Sequence, residues 1–238
     1  FLTWNVASFE PDTSVIPYLS QAFRVPAAEA DIVVIALQEI DMSMKSVVTG
    51  NTRAAANWQT LITQASTKES FESIGNQSIG GVFCAAFVKT ELKKYVSNVS
   101  ITTKKLGANG MLANKAALYL RMNIGQMKLC VILCHLAPHA QNLEQRNTQW
   151  HEIIADVENV DYAVFAGDLN YRITLDYDSV LEHVQKKNLT DLLSKDQLKN
   201  VLKTDNVIGK FNEAEIKFNP TFKFDRHCDQ YDTSPKHR

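Results

Sequence analysis

Tyr162-Ala163-Val164-Phe165-Ala166-Gly167-Asp168-Leu169-Asn170-Tyr171-Arg172 passes from five residues of core character to a carboxylate, a carboxamide, a phenol and a guanidinium. The apolar part reads as a central strand, and its C-terminal end delivers the polar groups to a sheet edge. Gly167 lets the backbone turn sharply between the two. Asp and Asn after a strand commonly form turns by bonding their own backbone, and the segment alone is open to that reading. Read chemically, it holds a base, an amide able to orient water and a fixed cation, the parts that cleavage of a phosphate ester needs.

Two further apolar runs end in the same manner. Ile32-Val33-Val34-Ile35-Ala36-Leu37 leads into Gln38-Glu39, and Leu129-Cys130-Val131-Ile132-Leu133-Cys134 leads into His135. Trp4-Asn5-Val6 follows the start of a fourth strand near the N-terminus. If these strand ends share a rim, Glu39 and Asn5 are placed for a hard cation, His135 for a phosphate oxygen and Asp168 for a water. His135 and His139 have the spacing of a zinc pair, but that pairing needs one helical face and Pro138 interrupts a helix there. His151, His183, His227 and His237 lie in no comparable context.

The matching segments extend along nearly the whole chain. They are Trp4-Asn5-Val6, Leu37-Gln38-Glu39-Ile40-Asp41, Asn114-Lys115, Cys134-His135-Leu136-Ala137-Pro138-His139, Glu144-Gln145-Arg146-Asn147, Gly167 to Ile173, and Asn219-Pro220-Thr221-Phe222-Lys223-Phe224-Asp225. On these residues the chain resembles the catalytic domain of an inositol polyphosphate 5-phosphatase, within the DNase I-like endonuclease, exonuclease and phosphatase superfamily. The Gly-Asp-Leu-Asn-Tyr-Arg element carries most of that specificity; the Trp-Asn-Val and Gln-Glu pieces are shared with the nucleases of the superfamily.

The resemblance implies an α/β fold, a four-layer sandwich of two packed mixed sheets flanked by helices. It implies removal of a 5-phosphate from a phosphoinositide lipid such as phosphatidylinositol 4,5-bisphosphate, or from a soluble inositol polyphosphate. Glu39 and Asn5 would hold Mg²⁺, for which Mn²⁺ is a chemically similar substitute. Asp168 would orient or deprotonate the water, Asn170 would bond the water or phosphate, and His135 would donate to a phosphoryl oxygen. Asn114, Lys115, His139, Tyr171, Arg172, Lys223 and Lys236 would bind substrate. Met111 and Leu112, in a turn-rich segment, would touch the bilayer; packing into the core is the alternative. The implied setting is the cytoplasm, peripheral at the cytosolic face of membranes, with no nucleic acid and no constitutive protein partner. A nuclease using the same metal, and a non-catalytic phosphoinositide-binding module, are the competing readings.

Two departures qualify the match. Ala113 and Ala116 flank Asn114-Lys115 where the family has glycines, so a positive φ there would be strained. Phe222 stands where the family has a tyrosine. Family domains also continue into a Trp-Cys-Asp-Arg and a Ser-Asp-His element not found before Arg238, so residues 1–238 read as one catalytic domain, incomplete at its C-terminal end and inactive or poorly folded alone.

Composition agrees with a single globular domain. The chain has 238 residues, 45% hydrophobic and 21% charged, without repeat, low-complexity segment or signal peptide, and no apolar run approaches a membrane span. A net charge of −1 opposes a broad electrostatic grip on nucleic acid. The four cysteines lack Cys-x-x-Cys spacing; Cys130 and Cys134, on one strand, would stand roughly 13 Å apart, so they read as reduced core residues. Helices are expected over Asp12–Arg24, Arg53–Ser66 and Asn142–Val157, and strands over Ile79–Lys89, Val96–Lys104, Ala116–Met122 and Met127–Cys134, the last two joined by a turn at Asn123–Gln126.

Overall fold

The computed structural model describes residues 1–24, 30–50, 52–108, 110–225 and 228–234. The chain divides into two compact units, one of residues Phe1–Ala137 and Glu152–Asn170, the other of Pro138–His151 and Tyr171–Arg238.

The first unit is built on two four-stranded mixed sheets. One has the order β1 (Leu2–Asn5), β2 (Ile32–Gln38), β4 (Val82–Lys89), β3 (Phe71–Ile79); the other runs β5 (Val96–Gly107), β6 (Leu112–Ile124), β7 (Met127–His135), β8 (Tyr162–Asp168). Within each, a single pair is parallel, β1 with β2 and β7 with β8. The continuous apolar run of β2 is explained by two buried faces. Val34 and Ala36 meet Leu118, Leu120, Val131 and Leu133 between the sheets, while Val33, Ile35 and Leu37 join the opposite cluster with Leu19 of α1 (Ile16–Gln21) and Trp58, Leu61 and Ile62 of α3 (Ala54–Thr67). A fully buried side chain of the size of Ile35 contributes about 1.5–3 kcal/mol. On the other sheet, the Tyr119 hydroxyl donates to the Ile153 carbonyl and to Asp156.

Several boundaries differ from expectation for identifiable reasons. Ile79 closes β3 instead of opening β4, because the chain reverses at Gly80-Gly81. Gly80 has φ +53°, and a Cβ there would lie 2.1 Å from the Ala113 carbonyl oxygen. Polar β3 escaped notice because its pattern is broken by an irregularity between Ser73 and Gly75. The Asp12–Arg24 helix contracts to a 3₁₀ turn at Thr13–Val15 followed by α1. The β6–β7 turn tightens to Gly125-Gln126, since Asn123 pairs with Lys128 and Ile124 with Met127. Strand β8, expected in mid-sheet, lies at an edge and pairs with β7 alone in the described sheet. A second short helix, α2 (Met44–Thr49), capped by Ser43, was also unforeseen.

Helix α4 (Leu143–Ile154), close to its expected span, contributes its first nine residues to the second unit and its last three to the first. The second unit also holds α5 (Tyr177–Gln185), α6 (Leu189–Ser194) and α7 (Gln197–Thr204), whose N-termini are capped by Asp176, Asn188 and Asp196. Trp150 packs edge-on against Tyr171 and Phe211, at 6.2 and 5.5 Å between ring centroids.

All four cysteines are free, and Cys84, Cys130 and Cys134 are buried. Burial pushes the Cys84 thiol up to about 12 and raises the other two as well. In the native protein a thiol-disulfide reagent will therefore titrate Cys228 rapidly and these three only on unfolding; fast reaction of more than one of the four would contradict this packing.

Candidate active site

The two parallel pairs bring four strand ends to comparable positions. In the first sheet Asn5 is in register with Gln38, and in the second His135 is in register with Asp168. Glu39 follows at once and turns through a left-handed backbone, φ +57°, as does Asn170, φ +56°. Ala7 and Ser8, φ +47° and +58°, complete a cluster of strained residues beside the strand ends.

Asp168 is the hub. Its Oδ2 accepts from Asn5 Nδ2 at 2.9 Å, a bond that joins the two sheets, and its Oδ1 accepts from the Asn170 N–H at 3.2 Å. The Asn170 carboxamide donates to the Leu136 carbonyl at 3.1 Å, fixing the turn after β8 against the exit of β7. Asn5 Oδ1 accepts from the Ala7 N–H at 3.0 Å, so both ends of that side chain are engaged in orienting Asp168.

His135 Nε2 lies 3.5 Å from Asp168 Oδ2, 3.8 Å from Glu39 Oε1 and 2.6 Å from Lys115 Nζ. Glu39 and Asp168 therefore flank one imidazole nitrogen and share one site. The ring is buried while the carboxylates keep 31% and 26% of their exposure, enough for water or a small anion to reach them. Burial, reinforced by the Lys115 charge and opposed by Asp168, lowers the pKa of His135 to about 4. With a neutral ring whose Nε2 is unprotonated, Nε2 accepts from the Lys115 ammonium. His135 and Lys115 are thus in direct contact beside the two carboxylates.

Asn114 packs on Gly107, where a Cβ would lie 1.9 Å from Asn114 Oδ1. Ala113 and Ala116 lie in β6, buried and outside the positive-φ residues, so the anticipated strain at the two replaced glycines does not arise. Met111 is exposed and Leu112 half-buried at the β5–β6 turn.

The remaining expected residues belong to the second unit. His139 is exposed, with φ +73°, and its carbonyl accepts from Arg146 Nη1 at 2.6 Å. The Tyr171 hydroxyl donates to Asn147 Oδ1 at 2.8 Å. The Arg172 guanidinium lies 4.8 Å from the Phe222 ring centroid, and Lys223 Nζ is 3.7 Å from Asp232 Oδ2. Lys236 lies outside the described residues. Sequence reasoning assigned no role to buried Arg146, Gln197 or Asp232. The first stood in a matching stretch; no local pattern marked the other two.

Endonuclease/Exonuclease/phosphatase family 2 is the family to which this chain belongs, its model matching residues 2–238. Among relatives, the chain is 28% identical to mouse type II inositol 1,4,5-trisphosphate 5-phosphatase over 99% of this chain and 25% of that protein, and 30% identical to mouse inositol polyphosphate 5-phosphatase K over 100% and 52%. It thus spans about half or less of the length of these relatives. The crystal structure of a synaptojanin inositol polyphosphate 5-phosphatase domain, in complex with inositol (1,4)-bisphosphate and calcium, superposes with a TM-score of 0.87 at 29% identity, covering 99% of this chain and 71% of that one. The fold is accordingly the expected one, two mixed sheets flanked by helices.

Gly167 controls how closely β8 approaches β7. It has φ +124°, and a Cβ would sit 2.1 Å from the Cys134 carbonyl oxygen and 2.8 Å from its nitrogen, both rigid backbone. Gly167→Ala is expected to cost about 3 kcal/mol or more, seen as a fall of roughly 6–12 °C in thermal midpoint; a change below 2 °C, on the same scale, would show that the strands can separate freely there.

Proposed function

We propose that this chain is the catalytic domain of a magnesium-dependent phosphatase that removes the 5-phosphate of phosphoinositides, such as phosphatidylinositol 4,5-bisphosphate, or of soluble inositol polyphosphates. The observation that carries it is the meeting of Glu39, from one sheet, with Asp168, from the other, around His135 and Lys115. The names of the relatives and the inositol bisphosphate held by the structural neighbour support the substrate class.

The donor set fits a hard cation. Glu39 and Asp168 offer carboxylate oxygens at a partly open rim, and Mg²⁺ characteristically uses one or two carboxylates and completes its shell with water and phosphate. Glu39 would hold it; Asn5, whose oxygen already accepts from Ala7, serves chiefly to orient Asp168. Mn²⁺ fits the same oxygens. When bound, the cation supplies charge neutralisation at the phosphoryl group.

The chain's own residues account for the rest. Asp168, held by Asn5 and Asn170, takes a proton from water as the water oxygen forms the new bond to phosphorus, while the inositol oxygen departs with the electron pair of the broken P–O bond and is protonated from solvent. Lys115 donates to a phosphoryl oxygen, with His135 holding its ammonium in place. His139, Tyr171, Arg172 and Lys223 contribute to recognition of the substituted ring, and Asn114 braces Lys115 by packing on Gly107. Peripheral contact with the cytosolic face of a membrane would use Met111 and Leu112, Met111 being 71% exposed. Among the described residues no helix is long and apolar enough to cross a membrane.

Phosphate release from a bisphosphorylated inositol lipid, beside plasmid nicking, tests the assignment. From the full-length protein that carries this domain we expect release that requires Mg²⁺ and no nicking, whereas residues 1–238 alone should release little or none; nicking without release by the full-length protein would establish the nuclease reading. Asp168→Asn and Glu39→Gln should each lower kcat by about 10³-fold with unchanged circular dichroism. Changing Met111 and Leu112 together to Asp should reduce turnover on liposomes about tenfold and spare a soluble inositol phosphate, whereas equal losses on both would reject membrane contact.

A further inference from the structure

The Glu144-Gln145-Arg146-Asn147 stretch has no catalytic part in the chemistry above, yet it places the largest fully buried charged side chain among the described residues. Arg146 is fully buried. Its Nη1 donates to the His139 carbonyl at 2.6 Å, its Nη2 to the Ala140 carbonyl at 3.3 Å and to Gln197 Oε1 at 2.6 Å. Gln197, buried at the start of α7, donates from Nε2 to the Ala140 carbonyl at 3.1 Å, and its Oε1 accepts a second bond, from the Arg172 N–H, at 3.0 Å. The guanidinium also faces the Tyr171 ring at 5.3 Å. A single buried cation and a single carboxamide thereby hold the backbones of two separate segments, His139-Ala140 and Tyr171-Arg172.

We infer that Arg146 and Gln197 form a positioning clamp that sets the backbone carrying His139 and Arg172, two of the residues proposed above for substrate recognition. The inference rests on the phosphatase reading above. Burying an arginine is costly unless its donors are met, and here oxygens from three residues accept from its two terminal nitrogens. A lysine could not span all three, because its ammonium is a point charge where the guanidinium is a planar fork. At its far end the Arg172 side chain is supported by Phe222, at 4.8 Å, so that the aromatic face contributes where the family's hydroxyl is missing.

The test compares Gln197→Met, which keeps the volume and loses both hydrogen-bonding ends, with Gln197→Glu, which keeps an acceptor for Arg146 and for the Arg172 N–H. Kinetics on a soluble inositol polyphosphate, calorimetric binding of the same compound and exchange of the Arg172 amide by NMR are measured on each. For Gln197→Met we expect KM and Kd to rise about tenfold, kcat to stay within about threefold, and the Arg172 amide to exchange about tenfold faster. Gln197→Glu should restore all of these to near the wild-type values. Faster exchange with unchanged KM and Kd, a loss confined to kcat, or a Gln197→Glu variant as impaired as Gln197→Met would each overturn the clamp's role. All measurements use the full-length protein: if its wild-type form binds the compound without releasing phosphate, the phosphatase reading fails and Kd still decides the clamp; if it does not bind at all, both fall.

Discussion

The hydrogen bond from Asn5 Nδ2 to Asp168 Oδ2 spans 163 residues of sequence and joins the two sheets at the end where their parallel strands terminate. Everything proposed for the site depends on it. Without that bond the Asp168 carboxylate would keep only the Asn170 N–H on its other oxygen, and its direction toward His135 would be set by a single short turn. The bond forms because the apolar faces of both sheets bury each other, Val34, Ala36 and Ala86 against Leu118, Leu120, Val131 and Leu133. Packing that is not directional thus fixes, at its margin, a contact that is.

The electrostatics follow from the same burial. Within 4 Å of His135 Nε2 stand two carboxylates and an ammonium, and in a medium of low polarisability such charges act strongly on one another and on anything that enters. A neutral imidazole between them avoids placing a second cation beside Lys115. A phosphoryl group, anionic on several oxygens, is the kind of ligand that a fixed ammonium and a hard cation on neighbouring carboxylates can jointly neutralise. In the second unit, the Arg146 guanidinium is engaged by backbone and side-chain oxygens of His139, Ala140 and Gln197.

Much of this was legible in the residues. The apolar runs of β2, β7 and β8 end at Glu39, His135 and Asp168, and the Gly-Asp-Leu-Asn-Tyr-Arg element carries the family resemblance in six residues. What escaped has physical causes. Strand β3 alternates imperfectly and carries a bulge, so period-2 patterning missed it. Helices α5 and α7 were announced by the caps Asp176 and Asp196 but went unread. The apolar run of β8 points to a strand with neighbours on both sides; among the described residues it is half-buried and pairs with β7 alone. The Lys115–His135 contact links residues on different strands, a juxtaposition set by the register of β6 and β7.

The contrast in exposure between the His135 side chain, at 1%, and the Glu39 and Asp168 carboxylates, at 31% and 26%, gives the rim a dry side and a wet side. A solute entering from bulk water therefore meets the two carboxylates before it can touch the imidazole, and the order of encounter is built into the burial of the strand ends.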